Sequence, residues 1–180
     1  MKYLTIFAFI TYFGMSPIAF TASSQLSGQA IYVFSALILL FSYYWAFVPA
    51  FLVKRHLNNS KFLIQFKKSF VVGLVTLVAI YSVELANSLL AENPDPLLSS
   101  GYWDEVLLVL FIIYVVSAGL LITSFVFALL VGSAALRFYE KSATGVSGNW
   151  AITLLSYIYL LFGVLFISKR IDKARQAILS

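Results

Sequence analysis

The sequence predicts an all-α polytopic transmembrane bundle of about five membrane-spanning helices with no soluble domain. Three observations predict it. Of 180 residues, 62% are hydrophobic and 11% charged, with a mean hydropathy of +0.96; soluble domains carry about 45–50% apolar and about 25% charged residues. The apolar residues gather in runs close to the roughly 20 residues that a helix needs to cross a hydrocarbon core of about 30 Å. The charges lie almost entirely between those runs.

The candidate spans are 3–21, 31–53, 70–90, 106–136 and 151–168, forming one integral membrane domain over residues 1–180. The first has the layout of a signal peptide: Lys2, an apolar stretch, then SPIAFTASSQ. A cut after Ala22 would put Phe20 where cleavage sites want a small residue, so the segment is expected to stay as a span. Pro17 in this run and Pro49 near the inner end of the second are candidate kinks. The fourth run has 31 residues, about 46 Å as a helix. That is too short for two full crossings. It suits one tilted helix protruding from the bilayer, or a helix broken near Ser117-Ala118-Gly119. Four spans are the alternative, if the first is removed or one segment does not cross.

The loops set an orientation. Lys54, Arg55, Lys61, Lys67 and Lys68 crowd the connection between the second and third spans, which should be cytoplasmic. The connection AENPDPLLSSGYWDE has four acids and no base, so it should lie outside. Its Asn-Pro-Asp-Pro is a turn, and Tyr102 and Trp103 stand where an interfacial aromatic belt would place them. One conflict remains in this scheme. Five crossings put Lys2, the basic loop, Arg137 and Lys141 inside, but leave the tail residues Lys169, Arg170, Lys173 and Arg175 outside.

Several groups are candidates for function. Glu84 stands near the outer end of the apolar third span, where a carboxylate is costly. Tyr81, Glu84, Asn87 and Ser88 share one helix face and form a polar stripe leading to the acidic outer loop. A proton- or cation-linked site is one use of such a stripe; hydrogen bonding across a helix interface is the commoner one. Ser124, Ala128 and Gly132 recur at four-residue intervals, a spacing that lets membrane helices approach closely, within the chain or between copies. The basic loop alternates cations with Phe62, Leu63, Ile64 and Phe66, as an interfacial helix on an anionic leaflet does. A cytoplasmic protein partner could use the same surface. His56 belongs with it as a solvated interfacial residue. In the tail, Ile171, Ala174 and Ile178 make an apolar stripe at helical spacing.

Much chemistry is excluded. There is no cysteine and one histidine, so disulfides, thiolate catalysis, cysteine metal sites and a bis-His haem within one chain are out. No catalytic triad pattern, HExxH or phosphate-binding glycine loop occurs. Glu92, Asp95, Asp104 and Glu105 could attract a divalent cation weakly but match no calcium loop. Asn58-Asn59-Ser60 matches a glycosylation acceptor but falls on the side expected to be cytoplasmic. The net charge of +5 sits beside the spans and is not a nucleic-acid signal. The expectation is a non-enzymatic subunit of a bacterial inner membrane, with no cofactor or metal. It would act through homo-oligomerisation, a larger complex or a cytoplasmic partner, in a defence, immunity or secretion role. A small oligomeric channel or cation-linked transporter, using the stripe at Glu84 with Ser42, Tyr43 and Tyr44, is the alternative.

Overall fold

The computed structural model describes residues 28–92, 102–158 and 160–179. The expected first span and most of the acidic loop lie outside these residues. The described chain is helical throughout, without a strand: α1 Gly28–Leu57, α2 Lys61–Glu92, α3 Tyr102–Thr144, α4 Trp150–Ile158 and α5 Leu160–Leu179. Two stretches, Lys61–Asn87 in α2 and Glu105–Thr144 in α3, are long and apolar enough to cross a membrane.

Helix ends follow local chemistry. α1 closes with Lys54 and Arg55 in its last turn, where cations meet the negative end of the helix dipole. Asn58 then takes a left-handed φ of 51°, a conformation that asparagine tolerates better than most residues. The Asn59 side chain accepts a hydrogen bond from the Lys61 N–H at 3.1 Å and starts α2. The basic connection is therefore a three-residue turn. Lys61, Lys67 and Lys68, expected in a loop or a separate interfacial helix, ride on the first turns of α2. That helix has 32 residues, about 48 Å at the helical rise.

α3 runs unbroken for 43 residues, about 65 Å, so Ser117-Ala118-Gly119 is not a break. It ends at Gly145, whose φ of +75° and N–H to the Lys141 carbonyl at 3.0 Å form a glycine C-cap. Asn149 caps α4, accepting from the Ala151 N–H at 2.9 Å.

The expected fifth span, 151–168, is not one continuous helix. It divides into α4 and α5, which fold back on one another: Arg170 Nη1 reaches Thr153 Oγ1 at 2.9 Å. In a continuous helix the 17 intervening steps would hold these residues about 25 Å apart. Gly163 permits the fold-back, because a Cβ there would run into the Ser156 carbonyl oxygen. Apolar composition alone could not distinguish a hairpin from a crossing.

The described residues fall into two compact units, and α2 and α3 contribute to both. The unit of 28–68 and 127–179 has a close-packed interior. Tyr43, Ala46, Ala50 and Val53 of α1 are buried, as are Ala128, Ala135, Leu136 and Tyr139 of α3. Tyr157 of α4 and Val164, Ile167, Ile171 and Ala174 of α5 complete it. Ile171 and Ala174 thus bury their stripe inside this unit, while Ile178 is half-buried. Gly132 lies against α1 so closely that a Cβ would stand 2.9 Å from the Ala46 Cα. The unit of 69–126 is different in character. Ser69 donates to the Ser124 carbonyl at 2.6 Å, yet Val71, Val75, Val78, Leu108, Phe111 and Ile122 are all more than half exposed. A continuous apolar surface of this kind is a liability in water and costs nothing in lipid.

Candidate functional site

A polar cluster holds the hairpin in place. Glu140 and Arg170 form a two-pronged ion pair: Nε to Oε1 and Nη2 to Oε2, each at 2.5 Å. The third guanidinium nitrogen, Nη1, donates to Thr153, whose hydroxyl donates in turn to the Asn149 carbonyl at 2.7 Å. Glu140 also accepts the Gly148 N–H at 3.3 Å, and Arg137 Nε donates to the Gly148 carbonyl at 3.1 Å. Arg170 lies over the Phe166 ring, 5.4 Å from its centroid. A side chain at position 148 would collide with Arg170. Deeper in the same unit, the buried Tyr157 hydroxyl points to the Gly132 carbonyl at 3.4 Å, a weak hydrogen bond. With the carboxylate and guanidinium bonded to each other in this way, the cluster is built to join α3, the 145–149 turn, α4 and α5. It offers no free acid or base.

The hairpin decides where the tail goes. Arg175 of α5 and Arg55 and His56 at the end of α1 line one cavity of about 500 Å³. Arg175 therefore sits at the same end of this unit as the basic turn. Among all twelve Lys and Arg of the chain, none falls in 69–126, whereas five of the seven acids do: Glu84, Glu92, Asp95, Asp104 and Glu105. Lys54, Arg55, Lys61, Lys67 and Lys68 are all exposed. Beyond its cationic end the cavity is aromatic and apolar, walled by Tyr44, Phe47, Phe51 and neighbouring residues of α1, with Leu179 of α5. Phe47 and Phe51 stack at 5.7 Å, and His56 lies 6.1 Å from the Tyr139 ring.

Tyr81 and Glu84 are half-buried and Asn87 is exposed, all on one side of α2; the Ser88 side chain lies outside the description. Ser124, Ala128 and Gly132 are buried within the chain: Ser124 takes the Ser69 hydrogen bond and Gly132 seats Ala46. Among the described residues no three His, Asp or Glu side chains converge as a metal site would require. Sequence reasoning passed over Glu140 and Arg170. The available signal was Glu140 itself, the lone acid between Glu105 and Asp172 in a stretch whose other charges are all cations.

The fold and site define a helical protein with membrane-length helices and a cationic end tied together by a buried ion pair. Comparison with protein-family models, curated proteins and solved structures found no match.

Proposed function

We propose that the chain is a polytopic subunit of a bacterial inner membrane with no reaction of its own. It anchors or assembles a cytoplasmic protein at its cationic end, in a defence, immunity or secretion role. The observation that carries this is the gathering of charge. The end of α1, the start of α2, the end of α3 and α5 from its middle onward supply all eleven Lys and Arg that follow Lys2. An excess of Lys and Arg marks the cytoplasmic side, and the return of α5 removes the tail conflict of the five-span scheme. The small-residue seam is filled by the chain's own residues, which turns the reading from self-association towards a partner at the basic face.

The test is native mass spectrometry after mild detergent extraction from the native host. A stoichiometric second protein is expected, and it should be lost on charge reversal of Lys61, Lys67 and Lys68 to glutamate. A lone monomer before and after extraction would contradict the proposal. The second reading is a small oligomeric channel or cation-linked transporter. It is favoured by Glu84, which makes no hydrogen bond or ion pair found among the described residues.

A further inference from the structure

The cavity between α1 and α5 has the dimensions and polarity of an amphiphile. It extends from Tyr44 to His56, twelve helical steps or about 18 Å along the helix. Half of a hydrocarbon core is about 15 Å, so the groove matches the depth of one leaflet. Its cations stand at one end only: Arg55 and Arg175 are exposed, with the half-buried His56 ring beside Arg55. The nearest acid in sequence, Asp172, is not part of the lining. Glu140 is engaged by Arg170 and does not compete for those cations. The remaining walls present rings and aliphatic carbons.

We propose that this groove binds one anionic phospholipid of the leaflet on the basic side. The phosphate is held by Arg55 and Arg175 with His56 beside them, and an acyl chain lies along Tyr44, Phe47 and Phe51. Charge complementarity selects the headgroup, since the cytoplasmic leaflet is the anionic one and a juxtamembrane cation attracts it. Length and aromatic walls select a chain lying along the helix rather than a compact soluble anion. The assignment rests on the membrane orientation proposed above, and its test separates the two.

The full-length chain is reconstituted in vesicles of equal phosphatidylglycerol and phosphatidylcholine, and the lipid retained after detergent extraction is weighed by native mass spectrometry. One phosphatidylglycerol per chain is expected. The double variant Arg55→Gln, Arg175→Gln should lower its retention about thirtyfold, from two interfacial cations. The control pair Ser82→Ala, Thr123→Ala, at exposed positions outside the groove lining, should leave it within about threefold. In parallel, Phe51→p-benzoylphenylalanine, a change at an exposed ring, is irradiated in the same vesicles. A phospholipid adduct supports the site. An adduct to residues 1–27 of the same chain, to a second copy or to another protein overturns it, as does equal retention of both lipids. A chain that retains the lipid but carries no second protein would overturn the anchoring role and leave the groove standing alone. Lipid loss with the complex intact would remove only the groove.

Discussion

Glu140 on α3 and Arg170 on α5 meet as a two-pronged buried pair thirty residues apart in sequence. Their side chains are 10% and 14% exposed, so neither charge is well solvated if the other is lost. Removing one partner of a buried pair costs about 3–5 kcal/mol, whereas replacing both with apolar residues of similar volume is often neutral. Arg170→Met and Glu140→Leu should each cost about 3 kcal/mol, and the double variant should recover most of that. Tryptophan fluorescence during denaturation in detergent reads the difference. Single variants as stable as the parent would show that the pair does not hold the hairpin.

Gly132 and Gly119 share α3 but not surroundings. A Cβ at Gly132 would press on the Ala46 backbone at 2.9–3.0 Å, while one at Gly119 meets nothing within 4 Å. Gly132→Ala should destabilise by about 1–3 kcal/mol through overpacking. Gly119→Ala should be neutral or gain up to about 1 kcal/mol. The opposite order in thermal scans would mean that α1 and α3 do not pack through this position.

Gly163→Ala tests the fold-back itself. The new methyl would occupy the space of the Ser156 carbonyl oxygen, so α4 and α5 could not close. Their separation should break the Arg170–Thr153 contact and raise the protease sensitivity of 145–179 at least tenfold. Unchanged digestion kinetics would contradict the hairpin geometry.

Glu84 separates the two functional readings. If the chain is an anchoring subunit, proteoliposomes should show no cation flux above empty vesicles, and Glu84→Gln should shift stability by no more than about 0.5 kcal/mol. Flux in the parent that disappears in Glu84→Gln would favour the channel.

The helices at 31–53, 70–90 and 106–136 were legible because long apolar runs between charges have few other uses, and α1, α2 and α3 cover them. Their true ends were less legible. α2 begins at Lys61, nine residues before the apolar run starts, because Asn59 caps it there. The hairpin was hidden for a different reason. Residues 151–168 have the composition of a crossing, and the Glu140–Arg170 pair that ties the fold-back has both its members outside the run. The seam at Ser124, Ala128 and Gly132 was visible as close packing, but its partners, Ser69 and Ala46, were not. The cavity needed two helix ends brought together by the hairpin, which no local pattern records.

The most direct measurement uses the absence of cysteine from the chain. Lys67→Cys and Lys173→Cys, both at exposed positions, are labelled separately with a membrane-impermeant maleimide in right-side-out and inverted vesicles. Labelling of both from the cytoplasmic face alone is the result predicted by a hairpin that returns the tail to the basic end. Labelling of Lys173→Cys from the opposite face to Lys67→Cys would restore a crossing at 151–168 and contradict the fold-back.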